Sequence, residues 1–335
     1  MDRRLALTTH TGILVADEDD GEWQVHATPT DDRAECVHLD PRRPGRLFVG
    51  RFDTGLVRST DAGRSFEHVG DEHIGEAAVT ALAGHPTEPD RVLAGTEPSR
   101  LFESTDGGDT WRRIKGLTDV PSANEWSFPP RPDTHHVRWI EIDPNDPDRW
   151  YVGIEAGALL VTPDAGETWH DRPEGSRRDN HTLATHPEAP GRVYAAAGDG
   201  YAESTDAGET WTTRHDGLDH RYVWGLAVDP GDPETVVVSA ASGASNAHRT
   251  PGDAYLYRRS DGGRWATVDD TVPTGPGHRR VVLASGPRPG TFGAATDDGV
   301  YWSDSGGTNW HRLPIDPPEP IANSLPRALA VIESS

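Results

Sequence analysis

The sequence predicts an all-β chain, a seven-bladed β-propeller of four-stranded antiparallel blades. Three observations predict it. A nine-residue phrase recurs along the 335 residues, an aromatic residue ends each copy at a period that fits one four-stranded repeat, and the two chain ends carry complementary parts of one repeat.

The phrase reads RSTDAGRSF at 58–66, ESTDGGDTW at 103–111, VTPDAGETW at 161–169 and ESTDAGETW at 203–211. A shortened copy, RRSDGGRW, lies at 258–265, and degenerate copies lie at 302–310 (WSDSGGTNW) and 16–23 (ADEDDGEW). The chemistry of the phrase is local. Ser/Thr–x–Asp lets side-chain oxygens accept backbone N–H groups, the glycine can adopt positive φ, and the aromatic ring packs on a neighbouring sheet. Asp61, Asp106, Asp164 and Asp206, with Trp111, Trp169 and Trp211, are therefore expected to hold hairpins together rather than to do chemistry.

The aromatic positions Trp23, Phe66, Trp111, Trp169, Trp211, Trp265 and Trp310 are separated by 43, 45, 58, 42, 54 and 45 residues. Two apolar runs precede each box, and the first commonly ends in Asp-Pro or His-Pro, as in VHLDP at 37–41, IEIDP at 140–144 and LAVDP at 226–230. That first run is the expected inner strand. The N-terminus begins at a second strand, RLALTT, and lacks an inner one, whereas PRALAVIE near the C-terminus has the missing pattern. An inner strand at about 326–333 is expected to pair with residues 4–9, closing the fold and hiding two sheet edges. Residues 1–335 are thus expected to form a single domain.

Composition narrows the class. Glycine (36) and proline (28) are spread along the chain, as short strands joined by tight turns require. No stretch approaches the roughly 18 apolar residues of a membrane helix, and the N-terminal MDRRLALTTHTGILVA reads as a strand pair rather than a signal peptide. The net charge of −23 and the use of arginine everywhere except Lys115 suit a solvated acidic surface. We expect a cytoplasmic, halophilic protein with no nucleic-acid or membrane role, since phosphate binding needs a basic face. Cys36 is alone, which excludes an intrachain disulfide and any multi-cysteine metal site; within an apolar strand pattern it is expected to be a buried small hydrophobe.

The phrase is the Asp-box, S-x-D-x-G-x-T-W, and across nearly the whole chain its repeats resemble the BNR/Asp-box propeller superfamily. That group includes sialidases, xyloglucan-active glycosidases, sortilin-type receptors and the photosystem II stability/assembly factor. The resemblance implies that the boxes lie on the rim between the outer two strands, away from the central funnel. It also implies a catalytic set for sialidases, which are six-bladed, that does not map onto this sequence: the Arg-Ile-Pro segment expected near the N-terminus is absent. A true sialidase is disfavoured, and the nearest resemblance is to glycosyl-hydrolase-like BNR-repeat proteins with seven blades.

Aligned on the terminal proline, the inner strands share an apolar column, Val37, Leu82, Ile140, Leu183, Leu226, Leu283 and Leu329, expected to be core. Two residues nearer the strand entrance, on the same alternating face, the column diverges to Glu35, Thr80, Arg138, His181, Trp224, Val281 and Arg327. Two further back it reads Arg33, Ala78, His136, Asp179, Tyr222, Arg279 and Leu325. The loops between second and third strands share that end of the sheets and carry Asp53, Glu97, Glu155, Asp199 and Asp297. Two insertions, 116–135 and 239–253, are expected on the same funnel face, where Trp126 and Phe128 would form a lid or cover an apolar channel end.

The expected ligand-binding residues are His136, Arg138, Glu155, Asn180, His181, Tyr222, Trp224, Arg279 and Arg327. Glu97, Glu155, Asp199 and His181 are the catalytic candidates, as acid/base groups. His136, Glu155 and His181 are the metal candidates, because imidazole and carboxylate suit a divalent ion such as Zn or Mn. Loop acids that cap turns or pair with nearby arginines are the plainer reading of each. Two function classes follow. One is a ligand- or protein-binding or assembly module using the His/Arg/Glu-rich funnel for a small anionic or sugar-like ligand or a protein segment. The alternative is a glycoside hydrolase, lyase or other hydrolase, with or without the help of a metal, acting on a sugar-like or anionic substrate in the same funnel.

Overall fold

The computed structural model describes residues 2–268 and 271–334. They form seven antiparallel sheets, the blades of a β-propeller. The first sheet runs Pro326–Glu333, Arg3–Thr9, Gly12–Asp19, Glu22–Pro29. The inner strands of the next six are Ala34–Leu39, Ala78–Gly84, Val137–Ile142, Asn180–Thr185, Tyr222–Asp229 and Val282–Ser285, each followed outward by three strands in chain order. The sixth sheet carries an added strand, Gly275–Pro276, on Asp253–Arg259. By Cα proximity the chain divides into two compact units, Met1–Leu47 with Ser59–Ser65 and His215–Ser335, and Phe48–Arg58 with Phe66–Arg214.

In the first unit the C-terminal strand pairs antiparallel with Arg3–Thr9, Leu5 opposite Val331 and Leu7 opposite Leu329, as the split repeat predicts. Leu5, Leu7, Leu14, Val282, Trp302 and Leu329 close over one apolar cluster there. Neither strand of that pair is left with an open edge toward the other.

The boxes hold the outer hairpins as their chemistry requires. In the third sheet Ser104 Oγ donates to Asp106 Oδ1 (2.8 Å) and accepts from the Gly108 amide (2.8 Å). Asp106 in turn accepts from the Thr110 amide (2.9 Å) and hydroxyl (2.5 Å). Trp111 Nε1 caps the turn by donating to the Gly108 carbonyl (3.1 Å), and the same bond recurs from Trp211 and Trp310. The box glycine is needed twice over. Gly108 sits at φ +93°, and a Cβ there would lie 2.5 Å from Phe48; at Gly208 (φ +84°) it would lie 2.7 Å from Tyr151. Box and neighbouring blade therefore touch backbone to side chain. Trp211 then joins Tyr151, Val161, Leu183 and Val193 in a buried cluster.

The inner strands depart from simple alternation. Their apolar column is buried at Ile140, Leu183, Leu226, Leu283 and Leu329, but half-buried at Val37 and Leu82. Pairing with the second strand skips one residue between Val79 and Ala81, Val137 and Trp139, Asn180 and Thr182, and Val223 and Gly225. The skipped residues are Thr80, Arg138, His181 and Trp224. The expectation that this column continues the alternating face of the core is corrected: each is the extra residue of a β-bulge, which re-aims its side chain and bends the strand entrance. Cys36 is buried and forms no disulfide. No helix among the described residues is long and apolar enough to cross a membrane.

Candidate functional site

Bulges and second loops bring polar side chains together at the strand entrances of each unit. In the second unit Glu155 follows Trp150–Ile154, and its amide donates to the His136 carbonyl (3.3 Å). That backbone bond sets the two side chains face to face. His136 Nε2 lies 3.0 Å from Glu155 Oε2, and its Nδ1 lies 3.6 Å from Glu97 Oε2. Arg138 Nε stands 3.5 Å from the same Glu155 oxygen. Burial alone would raise the Glu155 carboxyl, but the His136 hydrogen bond and the charges of His136, His181 and Arg138 outweigh it. They hold the group well below the usual carboxylate range.

From the next blade, Asp179 Oδ1 accepts from the Ala156 amide (2.8 Å), while Oδ2 lies 3.5 Å from His181 Nε2. One donor atom each from Glu155, Asp179 and His181 lies within 4.8 Å of the others. His181 is fully buried, and so is Asn180, whose Nδ2 donates to the Ala158 and Arg177 carbonyls (3.3 and 2.8 Å). Asn180 thus ties the strand entrance down and leaves His181 to face the carboxylates.

The 116–135 insertion folds over this cluster. Trp126 is buried, bonds Ser122 Oγ (2.8 Å) and packs edge-on to His135; Phe128 packs edge-on to His136 with ring centroids 4.7 Å apart. Arg131 grips Glu97 with two bonds (2.7 and 2.5 Å), its guanidinium between Phe52 and Phe128. Asp199 stays outside, exposed and paired with Arg177 (3.0 Å). The carboxyl with a raised pKa is elsewhere. Glu141 is pushed up to about 7 by burial despite bonds from Thr185 and Trp139. It lies four residues beyond Val137, about 13 Å along the strand at about 3.3 Å per residue, toward the box end.

The first unit gathers a different set. Arg280, 1% exposed, covers the Trp224 ring at 4.4 Å and reaches His248 Nδ1 (2.7 Å) and the Pro326 carbonyl (3.4 Å). His248 Nε2 meets the Tyr222 hydroxyl (3.0 Å). Arg327 pairs with buried Glu35. Nearby His10 is lowered to about 4, first by burial and then by Arg327, with Glu35 opposing. Arg279 turns aside onto Asp297 (3.1 Å).

The structure therefore groups Glu97, His136, Arg138, Glu155, Asn180 and His181 in one unit, and Tyr222 and Trp224 in the other. Three participants escaped the sequence reading. Asp179 stood in the aligned column without being chosen. Arg280 is one residue from the chosen Arg279, beside strand entrances whose bulges blur alignment by one. His248 lies inside the 239–253 insertion, on the short helix Ala244–His248, where no repeat guides alignment. Separately, an open hollow of about 620 Å³ lies at the box end of the third and fourth sheets, lined by residues including Arg113, Lys115, Asp164 and Glu167.

No protein-family model matches the chain. It is 26% identical over 301 residues to an oligoxyloglucan-reducing end-specific xyloglucanase of Emericella nidulans, covering 72% of this chain and 35% of that protein. It is 27% identical over 189 residues to the chloroplastic photosystem II stability/assembly factor HCF136 of Oryza sativa subsp. japonica, covering 56% and 39%. The chain thus spans little more than a third of the length of these relatives. In fold it resembles the GH74 xyloglucanase of Xanthomonas campestris (TM-score 0.63, 17% identity, 84% of this chain and 45% of that one). It also resembles YCF48 bound to D1 peptide (TM-score 0.56, 15% identity, 83% and 82%). The chain is a seven-bladed β-propeller, similar in sequence to xyloglucanases and to the photosystem II stability/assembly factor.

Proposed function

We propose that this chain is a glycan-directed propeller of the glycoside-hydrolase kind, taking a xyloglucan-like oligosaccharide at the strand entrances around Glu155, Asp179 and His181. The ligand class rests on sequence similarity to a xyloglucanase over 72% of the chain. The observation that carries the site is convergence: three donor atoms within 4.8 Å let one substrate or solvent oxygen touch two carboxyls and an imidazole. Glu155, held ionised, is in the state that a nucleophile or an anionic stabiliser needs, while its lowered pKa makes it a weak general base. Glu141, with its raised pKa, lies too far along the strand to be the acid in this cluster, since paired carboxyls act at about 5–9.5 Å.

The test is incubation with xyloglucan and its oligosaccharides, following new reducing ends and product masses, beside calorimetric binding of the same sugars. Cleavage or binding that falls at least about tenfold in Glu155→Gln supports the reading. Neither binding nor cleavage across the set refutes it.

A second reading has one specific observation behind it. The fold likeness to a YCF48 bound to D1 peptide extends over more than four-fifths of both chains. A propeller that binds a protein segment would use the same strand entrances. Binding of peptides in the absence of any sugar binding favours it.

A further inference from the structure

We propose that Glu155, Asp179 and His181 bind one divalent transition ion, Zn²⁺ or Mn²⁺, while His136 and the Ala156 amide hold its carboxylate ligands in place. His181 Nε2 and Asp179 Oδ2 are 3.5 Å apart, longer than a normal N–H···O bond. Two donors each about 2.1 Å from a tetrahedral ion would stand about 3.4 Å apart. The spacing is that of two ligands sharing an ion.

Each carboxylate is already held through one oxygen. Asp179 Oδ1 takes the Ala156 amide at 2.8 Å, and Glu155 Oε2 takes His136 at 3.0 Å and faces Arg138 at 3.5 Å. Asp179 Oδ2 and one oxygen of Glu155 would be the ligand oxygens, within the 4.8 Å donor set, and partners on the carboxylates are the outer-shell arrangement that orients them toward a metal. His136, a ligand candidate by sequence, is thereby an outer-shell holder, and Asp179 takes its place.

Gly198 supplies a separate observation. A Cβ at this position would lie 2.0 Å from Asp179 Oδ2, so only glycine leaves room for that oxygen where it stands. The backbone repeats the constraint, since the Gly198 amide donates to the Asp179 carbonyl (2.9 Å). The site is reachable: His181 and Glu155 are buried, but the Asp179 side chain is 34% exposed. Two carboxylates supply the charge that one divalent ion balances, the imidazole would bind through a ring nitrogen that carries no proton, and Arg138 faces Glu155 Oε2. An imidazole among the donors favours Zn²⁺ or Mn²⁺ over Ca²⁺ or Mg²⁺.

The inference is independent of the glycan reading, because a segment-binding propeller could hold the same ion. If hydrolysis occurs with the ion bound, the two carboxyls act as ligands and chelation abolishes turnover. If they act unaided, turnover survives chelation.

The test uses the full chain, stripped by chelator and titrated calorimetrically with Zn²⁺, Mn²⁺ and Ca²⁺ in turn. Calcium controls for loose cation binding to a protein of net charge −23. One equivalent of Zn²⁺ or Mn²⁺ is expected to bind more tightly than Ca²⁺, and about 10–100-fold more weakly in Asp179→Asn and Gly198→Ala. If Gly198→Ala does not fold, Asp179→Asn decides alone, its fold checked by circular dichroism. Binding no stronger than that of Ca²⁺, or Asp179→Asn titrating like wild type, overturns the proposal.

Discussion

Replacing the box aspartate Asp206 by alanine removes three bonds at an exposed turn: from Ser204 Oγ (2.7 Å), the Thr210 amide (2.9 Å) and the Thr210 hydroxyl (2.6 Å). Bonds to a charged acceptor contribute about 1.5–3 kcal/mol when buried, and exposure leaves only a fraction of that. A loss of about 1–2 kcal/mol follows for Asp206→Ala. Ser204→Ala is the informative companion. Ser204 is 1% exposed, and its Oγ accepts from the Gly208 amide at 2.9 Å. Alanine strands that buried donor, at about 1–3 kcal/mol, besides losing the bond to Asp206. Ser204→Ala should therefore destabilise at least as much as Asp206→Ala, although it removes a smaller and uncharged group. Urea unfolding of both variants beside wild type reads this directly. Equal stability of Ser204→Ala and wild type would refute the reasoning, because the hydroxyl would then not be carrying the turn.

Three further outcomes follow from burial and pairing. Glu141 is held protonated up to about 7, so the folded state binds a proton that the unfolded state releases near 4.5. Its contribution is complete below about pH 4.5 and is lost as pH rises through 7. Glu141→Gln should gain on wild type by up to about 3 kcal/mol between pH 5 and pH 8, and an unchanged difference at the two pH values would contradict this. Arg280→Lys keeps the charge but loses the planar fork over Trp224 and toward His248. A loss of about 2 kcal/mol is expected by urea unfolding, and a loss under about 0.5 kcal/mol would contradict the packing account. Deleting residues 326–335 bares the edge of Arg3–Thr9 and the apolar cluster around Leu329. Size-exclusion chromatography should then show association or aggregation relative to the intact chain, and an elution unchanged from that of the intact chain would count against the clasp.

The fold was legible because its signals repeat. Seven boxes, seven aromatic anchors and an inner strand divided between the two chain ends are local patterns that survive degeneration of single copies; Ser303 and Ser305 still accept turn amides where the box aspartate is missing. The site was legible only in part, because it depends on features that differ between repeats. The bulges at Thr80, Arg138, His181 and Trp224 break the period on which column alignment relies. That is how Arg279 was preferred to Arg280; Asp179 shared its column with His136, and only the contacts that each makes, His136 with Glu155 and Asp179 with His181, set their roles apart. Glu97 and Glu155 follow from their loop position, but their partners, Arg131 from an insertion and His136 just before an inner strand, come from packing between segments. His248 lies in an insertion that no other repeat shares.

The most direct measurement is a structure of the chain soaked with a xyloglucan oligosaccharide. A sugar oxygen within about 3 Å of Glu155 or Asp179 is the predicted result. Sugar bound instead in the box-end hollow beside Lys115 and Glu167 would contradict the assignment of the strand entrances as the working end.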